Sequence, residues 1–240
     1  MRKEKVVFAQ FYFCWKRLTV LSAIVFCLLS NGYARAGVVL GATRLIYPSD
    51  AKEMTLSLKN TESSQTFLVQ SVIEDARSEK QPHFVVTPPL FVLKPEGDNK
   101  LRIFLKNATP MSANKETLFW ISVKAVPSIS KQEEGNFVQF AVTNRIKLLY
   151  RPKGLGSPDE AVWRKISFSR RGKELLVHNP TSYYMHIASV HAGQRLYESL
   201  TLAPDETQVL GSTSVASNIA EVVFINDFGG ESSKVTVPIN

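Results

Sequence analysis

Past residue 36 the sequence has no cysteine: Cys14 and Cys27, its only two in 240 residues, both lie in the N-terminal segment. A disulfide framework is therefore excluded for the rest of the chain, which must be held by packing even in an oxidising compartment. Proline and glycine, at 12 each, are too few for a low-complexity polymer. No apolar run reaches the roughly 20 residues of a membrane-spanning helix. Catalytic signatures are missing as well. There is no G-x-x-x-x-G-K-[ST], and neither Gly154-Leu155-Gly156 nor Gly229-Gly230 supplies a phosphate loop, so no nucleotide is expected. No G-x-S-x-G elbow occurs. Of the four histidines, His83, His178, His186 and His191, the closest two are five residues apart and would point to opposite faces of a strand, so no metal site is expected. Glu133-Glu134 and Asp159-Glu160 stand beside turns, as solvated charge does. Neither an enzyme nor a cofactor is expected. Asn107-Ala108-Thr109 spells a glycosylation sequon, a motif too short to carry weight.

Positive charge is plentiful but unevenly placed. The whole chain has 29 Lys+Arg against 21 Asp+Glu, a formal charge of +8. Arg2, Lys3, Lys5, Lys16 and Arg17 precede 13 uncharged, mostly apolar residues, Leu18 to Ser30, and Ala34-Arg35-Ala36 follows. This is the n-region, h-region and cleavage-site order of a secretory signal. Residues 1–36 are expected to direct export and to be removed, giving a soluble periplasmic product without stable membrane insertion. Phe26 before Cys27 argues against a lipid-attached cysteine. Removal takes six basic residues and one acidic residue, leaving 23 against 20, a net charge of +3. The case for nucleic acid goes with them.

From Val38 onward the hydrophobic period is two. Met54, Leu56 and Leu58 alternate with Thr55, Ser57 and Lys59. Strand-like runs recur at Thr66 to Ile73, Leu101 to Leu105, Leu118 to Val126, Phe137 to Tyr150, Glu174 to His178, Tyr184 to Val190 and Glu221 to Ile225, separated by turn signals such as Pro95-Glu96-Gly97-Asp98 and Arg171-Gly172-Lys173. No helix-length window has an apolar face. The pattern predicts an all-β protein of antiparallel sandwiches. Arg151 to Pro158, with two prolines and two glycines in eight residues, reads as a linker dividing two β domains in series, 37–156 and 157–240.

One run stands out. Phe137 to Tyr150 is unusually long for a strand, and one pleat face carries Val138, Phe140, Val142 and Ile146. Periodicity alone leaves two readings open: core of the first domain, or a sheet edge whose free N–H and C=O groups invite another chain.

The residues around that run resemble the periplasmic chaperones of chaperone–usher pilus assembly. The resemblance rests on Thr43-Arg44-Leu45-Ile46-Tyr47-Pro48, Thr87-Pro88-Pro89, Lys115 to Trp120, Asn144 to Pro152, Asn179 to Tyr184 and Ile225 to Gly230, in the family's order. It implies two immunoglobulin-like domains with a cleft between them. Pilus subunits, each a sandwich lacking its last strand, would borrow an edge strand of the chaperone there and then pass to an outer-membrane usher. By the same resemblance, Arg44 and Lys147 anchor the subunit's C-terminal carboxylate. Val138, Phe140, Val142 and Ile146 form the donated strand, and Glu116, Arg151 and Asp227 form an inter-domain ionic cluster. Pro89 matches a position that is often cis. Lys147 faces opposite Val142 in a regular pleat, so a bulge or twist is expected to bring it into the cleft. The stretch from Pro127 to Asn136, about ten residues without cysteine, is similar to the short-loop branch of the family, which builds rod-like pili with adhesive tips.

The alternatives are a secreted fimbrial structural or adhesive subunit, and an exported enzyme with a non-local site. A subunit should carry a donor extension at its N-terminus and commonly cysteines. Gly37-Val38-Val39-Leu40 instead leads directly into Thr43-Arg44, which favours the chaperone.

Overall fold

The computed structural model describes residues 37–77, 79, 83–106, 111–128, 138–212 and 217–240. The signal segment, the sequon and residues 129–136 of the loop before the long run lie outside them.

Two hydrophobic cores organise the chain, one drawn from Val38 through Leu148 and the other from Ile166 through Ile239. Each lies between two sheets. In the first domain, β1 (Val38–Leu40), β3 (Met54–Asn60), β7 (Asp98–Leu105) and β5 (Phe84–Thr87) form one sheet in that order. The facing sheet runs β2 (Arg44–Pro48), β9 (Val142–Arg151), β8 (Thr117–Pro127), β4 (Phe67–Glu74) and β6 (Leu90–Leu93). The second domain opposes β10 (Ser167–Arg171), β11 (Glu174–His178) and β14 (Thr207–Ser212) to β13 (Arg195–Leu202), β12 (Met185–Ala192), β15 (Ile219–Phe224) and β16 (Val235–Pro238). These are two β-sandwich domains in series.

The alternation read from sequence decides which side chains enter these cores. Along β3, Leu56 and Leu58 are buried while Thr55, Ser57 and Lys59 are exposed. Tyr47 is fully buried, and its hydroxyl donates to the Ala51 carbonyl at 2.9 Å and accepts from the Leu105 N–H at 3.1 Å. Its ring starts a T-shaped series through Phe84 to Phe119. In the second domain, buried Asn179 serves the turn after β11, donating to the Tyr183 and Ala203 carbonyls. A single helical turn, α1 (Glu160–Trp163), follows the linker with Asp159 as its N-cap, and Trp163 stacks on Phe224.

Three expectations need correction. The long strand begins at Val142, not Phe137: Val138 to Ala141 join no ladder, and Phe137 lies outside the described residues. The cis bond is Thr87–Pro88, one residue before the expected Pro88–Pro89. Pairing is not wholly antiparallel either, because β2 runs parallel to β9. The first strand has already served the other sheet as β1, and after Gly41 the chain crosses to pair alongside β9 with Arg44 opposite Lys147.

Candidate functional site

The β8–β9 ladder runs from Ala125 opposite Val142 to Thr117 opposite Tyr150 without a register shift. Strict alternation then splits β9 into two faces. Leu148 is in the first-domain core, with Ile146 and Tyr150 packed against it. Lys147, Leu149 and Arg151 point the other way, out of the first sandwich and toward the second domain. The expected bulge is absent from this ladder and is unnecessary: the face opposite Val142 is the face that meets the cleft.

Arg151 is only 7% exposed. Its Nε donates to Glu116 Oε1 at 2.7 Å, and its two terminal nitrogens donate to Asp227 at 2.6 and 2.8 Å, a bidentate pair across the domain boundary. Glu116 is also buried, and its second oxygen accepts from the Tyr184 N–H at 2.7 Å. The Tyr183 ring lies 5.6 Å from the guanidinium. Burial works against every one of these charges. It pushes Glu116 up despite Arg151 and the Tyr184 N–H. At Asp227 it is overcome by the Arg151 hydrogen bonds, which hold that carboxyl below the usual range. Asp227 is presented by a tight loop in which the Asn226 carboxamide oxygen accepts from the Phe228 and Gly230 N–H groups. At Gly229, φ is +85°, and a Cβ there would stand 2.2 Å from Thr43 Oγ1, so any other residue would strain the loop and displace the Thr43 side chain of the first domain.

Arg44 and Lys147 are neighbours in register on the outer face of β2 and β9. Lys147 Nζ lies 3.0 Å from His186 Nδ1 and 2.8 Å from Thr201 Oγ1, both in the second domain, and 5.9 Å from the Trp120 ring. Burial and then Arg44 push its ammonium down to about 8. Burial likewise lowers the Arg44 guanidinium, whose Nε is buried without a hydrogen-bond partner among the described residues. Arg44 opens on a cavity of about 600 Å³ shared with Arg151, Asp227 and Phe228. Among the described residues, neither Arg44 nor Lys147 forms a direct ion pair. Two half-buried cations thus stand side by side in register without a bound acid among the described residues.

Upstream on β9 the core-facing stripe leaves the core. Ile146, grouped by sequence with Val138, Phe140 and Val142 on one face, is half-buried, whereas Val142 is 59%, Phe140 77% and Val138 79% exposed. These three are not core. β2 pairs only with Lys147–Arg151, so among the described residues no strand pairs with Val142–Ile146 on that side. The Gln139 amide donates to the Pro127 carbonyl, against the end of β8.

The family model described as "Pili and flagellar-assembly chaperone, PapD N-terminal domain" matches residues 37–156, and that described as "Pili assembly chaperone PapD, C-terminal domain" matches residues 161–236. The chain belongs to the pilus-assembly chaperone family. Among its relatives, the chaperone protein FocC of Escherichia coli is 38% identical over 217 residues, which cover 89% of this chain and 94% of FocC. The crystal structure of the periplasmic chaperone SfaE aligns with a TM-score of 0.73 and 36% identity, over 84% of this chain and 100% of SfaE. A chain in the structure of the Salmonella enterica SafA pilin in complex with the SafB chaperone aligns with a TM-score of 0.76 and 33% identity, over 84% of this chain and 96% of that one.

In this pilus-assembly chaperone the sequence did not single out His186, Thr201 or the Tyr184 N–H. His186 interrupts an apolar run between Met185 and Ile187, which marks it as facing away from its own core. What covers that face comes from the other domain, and no local pattern reports it.

Deleting one partner of the buried cluster strands the others. Arg151→Ala and Asp227→Ala are each expected to destabilise the chaperone by about 3–5 kcal/mol, with the double variant well short of the sum. Urea unfolding of the four proteins measures this, and additive losses would mean that the two do not interact. The Asp227 contribution is present above the unfolded carboxylate pKa and is lost as pH falls through its lowered folded value.

Proposed function

We propose that this chaperone captures pilus subunits in the periplasm by lending them the edge that runs from Val138 to Ile146, with Arg44 and Lys147 seating the subunit's C-terminal carboxylate. The observation carrying this reading is that an apolar, unpaired edge ends beside two cations without a bound acid. β-Augmentation needs such an edge: backbone hydrogen bonds give affinity, and alternating side chains fill successive pockets. Charge also selects direction. A guest strand lying parallel to β9 would end where β2 begins, bringing its carboxylate to Arg44, whereas an antiparallel guest would bring its terminal ammonium there. The SafB–SafA complex supports the reading by likeness, as a chaperone bound to a pilin.

Delivery to an outer-membrane usher belongs to the same proposal, as does a domain-orienting role for Glu116, Arg151 and Asp227. We assign the exported protein the domains 37–156 and 157–240 and a non-catalytic mode of action. The short, cysteine-free stretch before β9 supports the short-loop branch.

Three experiments test these assignments. Intact mass of the periplasmic product should begin at Gly37, and retention of Leu18 to Ser30 would sink the cleavage assignment. Phe140→Asp should abolish subunit binding, since it places an unpaired charge in an apolar groove, while the thermal midpoint of the free chaperone stays close to wild type. Gln139→Asp should be mild in both, and a Phe140→Asp variant that unfolds would return the run to the core. Finally, Arg44→Ala or Lys147→Ala should weaken capture roughly 10- to 100-fold, the worth of a hydrogen bond to a charged group. Because a docked carboxylate holds the proton on Lys147, affinity should be full at lower pH and decline as pH rises above about 8, and Lys147→Arg should abolish the decline.

A further inference from the structure

His186 projects from β12 on the face opposite core residues Met185 and Ile187, yet it is only 4% exposed. It is paired in register with Thr201 on β13, and both reach Lys147 of the first domain. An ammonium has three donors and no lone pair, so the 3.0 Å contact makes His186 Nδ1 the acceptor and puts the ring proton on Nε2, which is buried without a hydrogen-bond partner among the described residues. The imidazole is therefore neutral. The charged groups facing it are Lys147 from β9, Arg44 from β2 and Asp227 from the loop after β15; burial first, then the two cations, push it down to about 3.

The choice of side chain here has chemical content. An apolar residue would leave the Lys147 ammonium short of an acceptor in a half-buried site. A carboxylate would hold it but cancel its charge and fill the anion site from within. A neutral acceptor holds the ammonium and leaves its charge for an incoming ligand. We propose that His186, assisted by Thr201, is a positioning residue for the carboxylate anchor: a neutral acceptor on the second domain that fixes Lys147 in the cleft without neutralising it. This rests on the anchor reading above. It goes further in making capture depend on the second domain, because two of the three Lys147 donors are tied to it and one is left for the guest.

The test uses the exported chaperone, NMR titration of the Lys147 side chain, and a synthetic peptide of alternating apolar residues ending in a free carboxylate, beside its C-terminally amidated form. His186→Leu should lower the Lys147 pKa and weaken binding of the free-carboxylate peptide roughly 10-fold, with little change for the amide. His186→Asn, which restores an acceptor near the Nδ1 position, should recover both. His186→Asp should raise the Lys147 pKa and still weaken binding, a divergence that loss of packing would not produce. Thr201→Val should move the Lys147 pKa in the same direction as His186→Leu, and it carries the test with His186→Asn if the leucine variant does not fold. A folded His186→Leu or Thr201→Val variant with unchanged Lys147 titration would overturn the proposal, as would a folded His186→Asn that restores nothing. If Lys147→Ala binds the free-carboxylate peptide as well as wild type, the anchor reading fails, and this is distinguishable because the titration of Lys147 in the free chaperone is read without any peptide.

Discussion

A guanidinium buried as deeply as Arg151 gives up hydration worth several kcal/mol, and it recovers that cost only from carboxylates held in the right geometry. Glu116 supplies one from the first domain and Asp227 the other from the second. The relative placement of the domains is thus tied to the location of two oxygens of Asp227, and the glycine-bearing loop from Asn226 to Gly230 exists in the form needed to present them. The exposed ion pair between Lys115 and Asp205 spans the same boundary but remains open to solvent, where such a pair contributes little. Of the ion pairs across the boundary, the buried cluster is the one whose disruption would strand an uncompensated charge.

With the domains fixed, the outer face of β2 and β9 becomes a wall of a cleft. Lys147 shows how finely its electrostatics are balanced: it is hydrogen-bonded on two sides yet not neutralised, and Arg44 beside it has no direct acidic partner among the described residues. Asp227 lies near enough to influence Arg44 but is occupied by Arg151. One ionic cluster has its charges paired, and the neighbouring cations have no carboxylate bound to them among the described residues.

The sequence was most informative where one face of a strand is buried. Glu174–His178 coincides with β11 residue for residue, and β3 follows the alternation of Met54, Leu56 and Leu58. It was least informative at β13, whose Arg195–Leu202 run is exposed or half-exposed on both faces until its last residue, and at β6, where Leu90–Leu93 is a short continuous apolar run. Phe137 to Tyr150 shows the limit most clearly. Its period-two pattern is real, but periodicity records which side chains share a face and not whether anything lies against that face. The pleat also sets Lys147 on the face opposite Val142, a conflict that vanishes once a second domain stands behind the sheet. The motif resemblance supplied Arg44, Lys147, Glu116, Arg151 and Asp227. His186 belongs to no such motif, and its contact with Lys147 arises only from the meeting of the two domains.

The unbroken pleat of β9 has one more consequence. Val142 and Lys147 are five positions apart, an odd step, so apolar side chain and cation necessarily occupy opposite sides of one strand, and no local rearrangement short of a bulge can alter that parity. From Lys147 back to Val142 is five residues, about 17 Å of strand at ~3.3 Å per residue. For a guest whose terminus is seated at the cations, β9 is a ruler read from that end. On the proposed anchoring, a guest strand longer by one residue would present its polar face where its apolar face belongs, so length as well as composition would decide the fit.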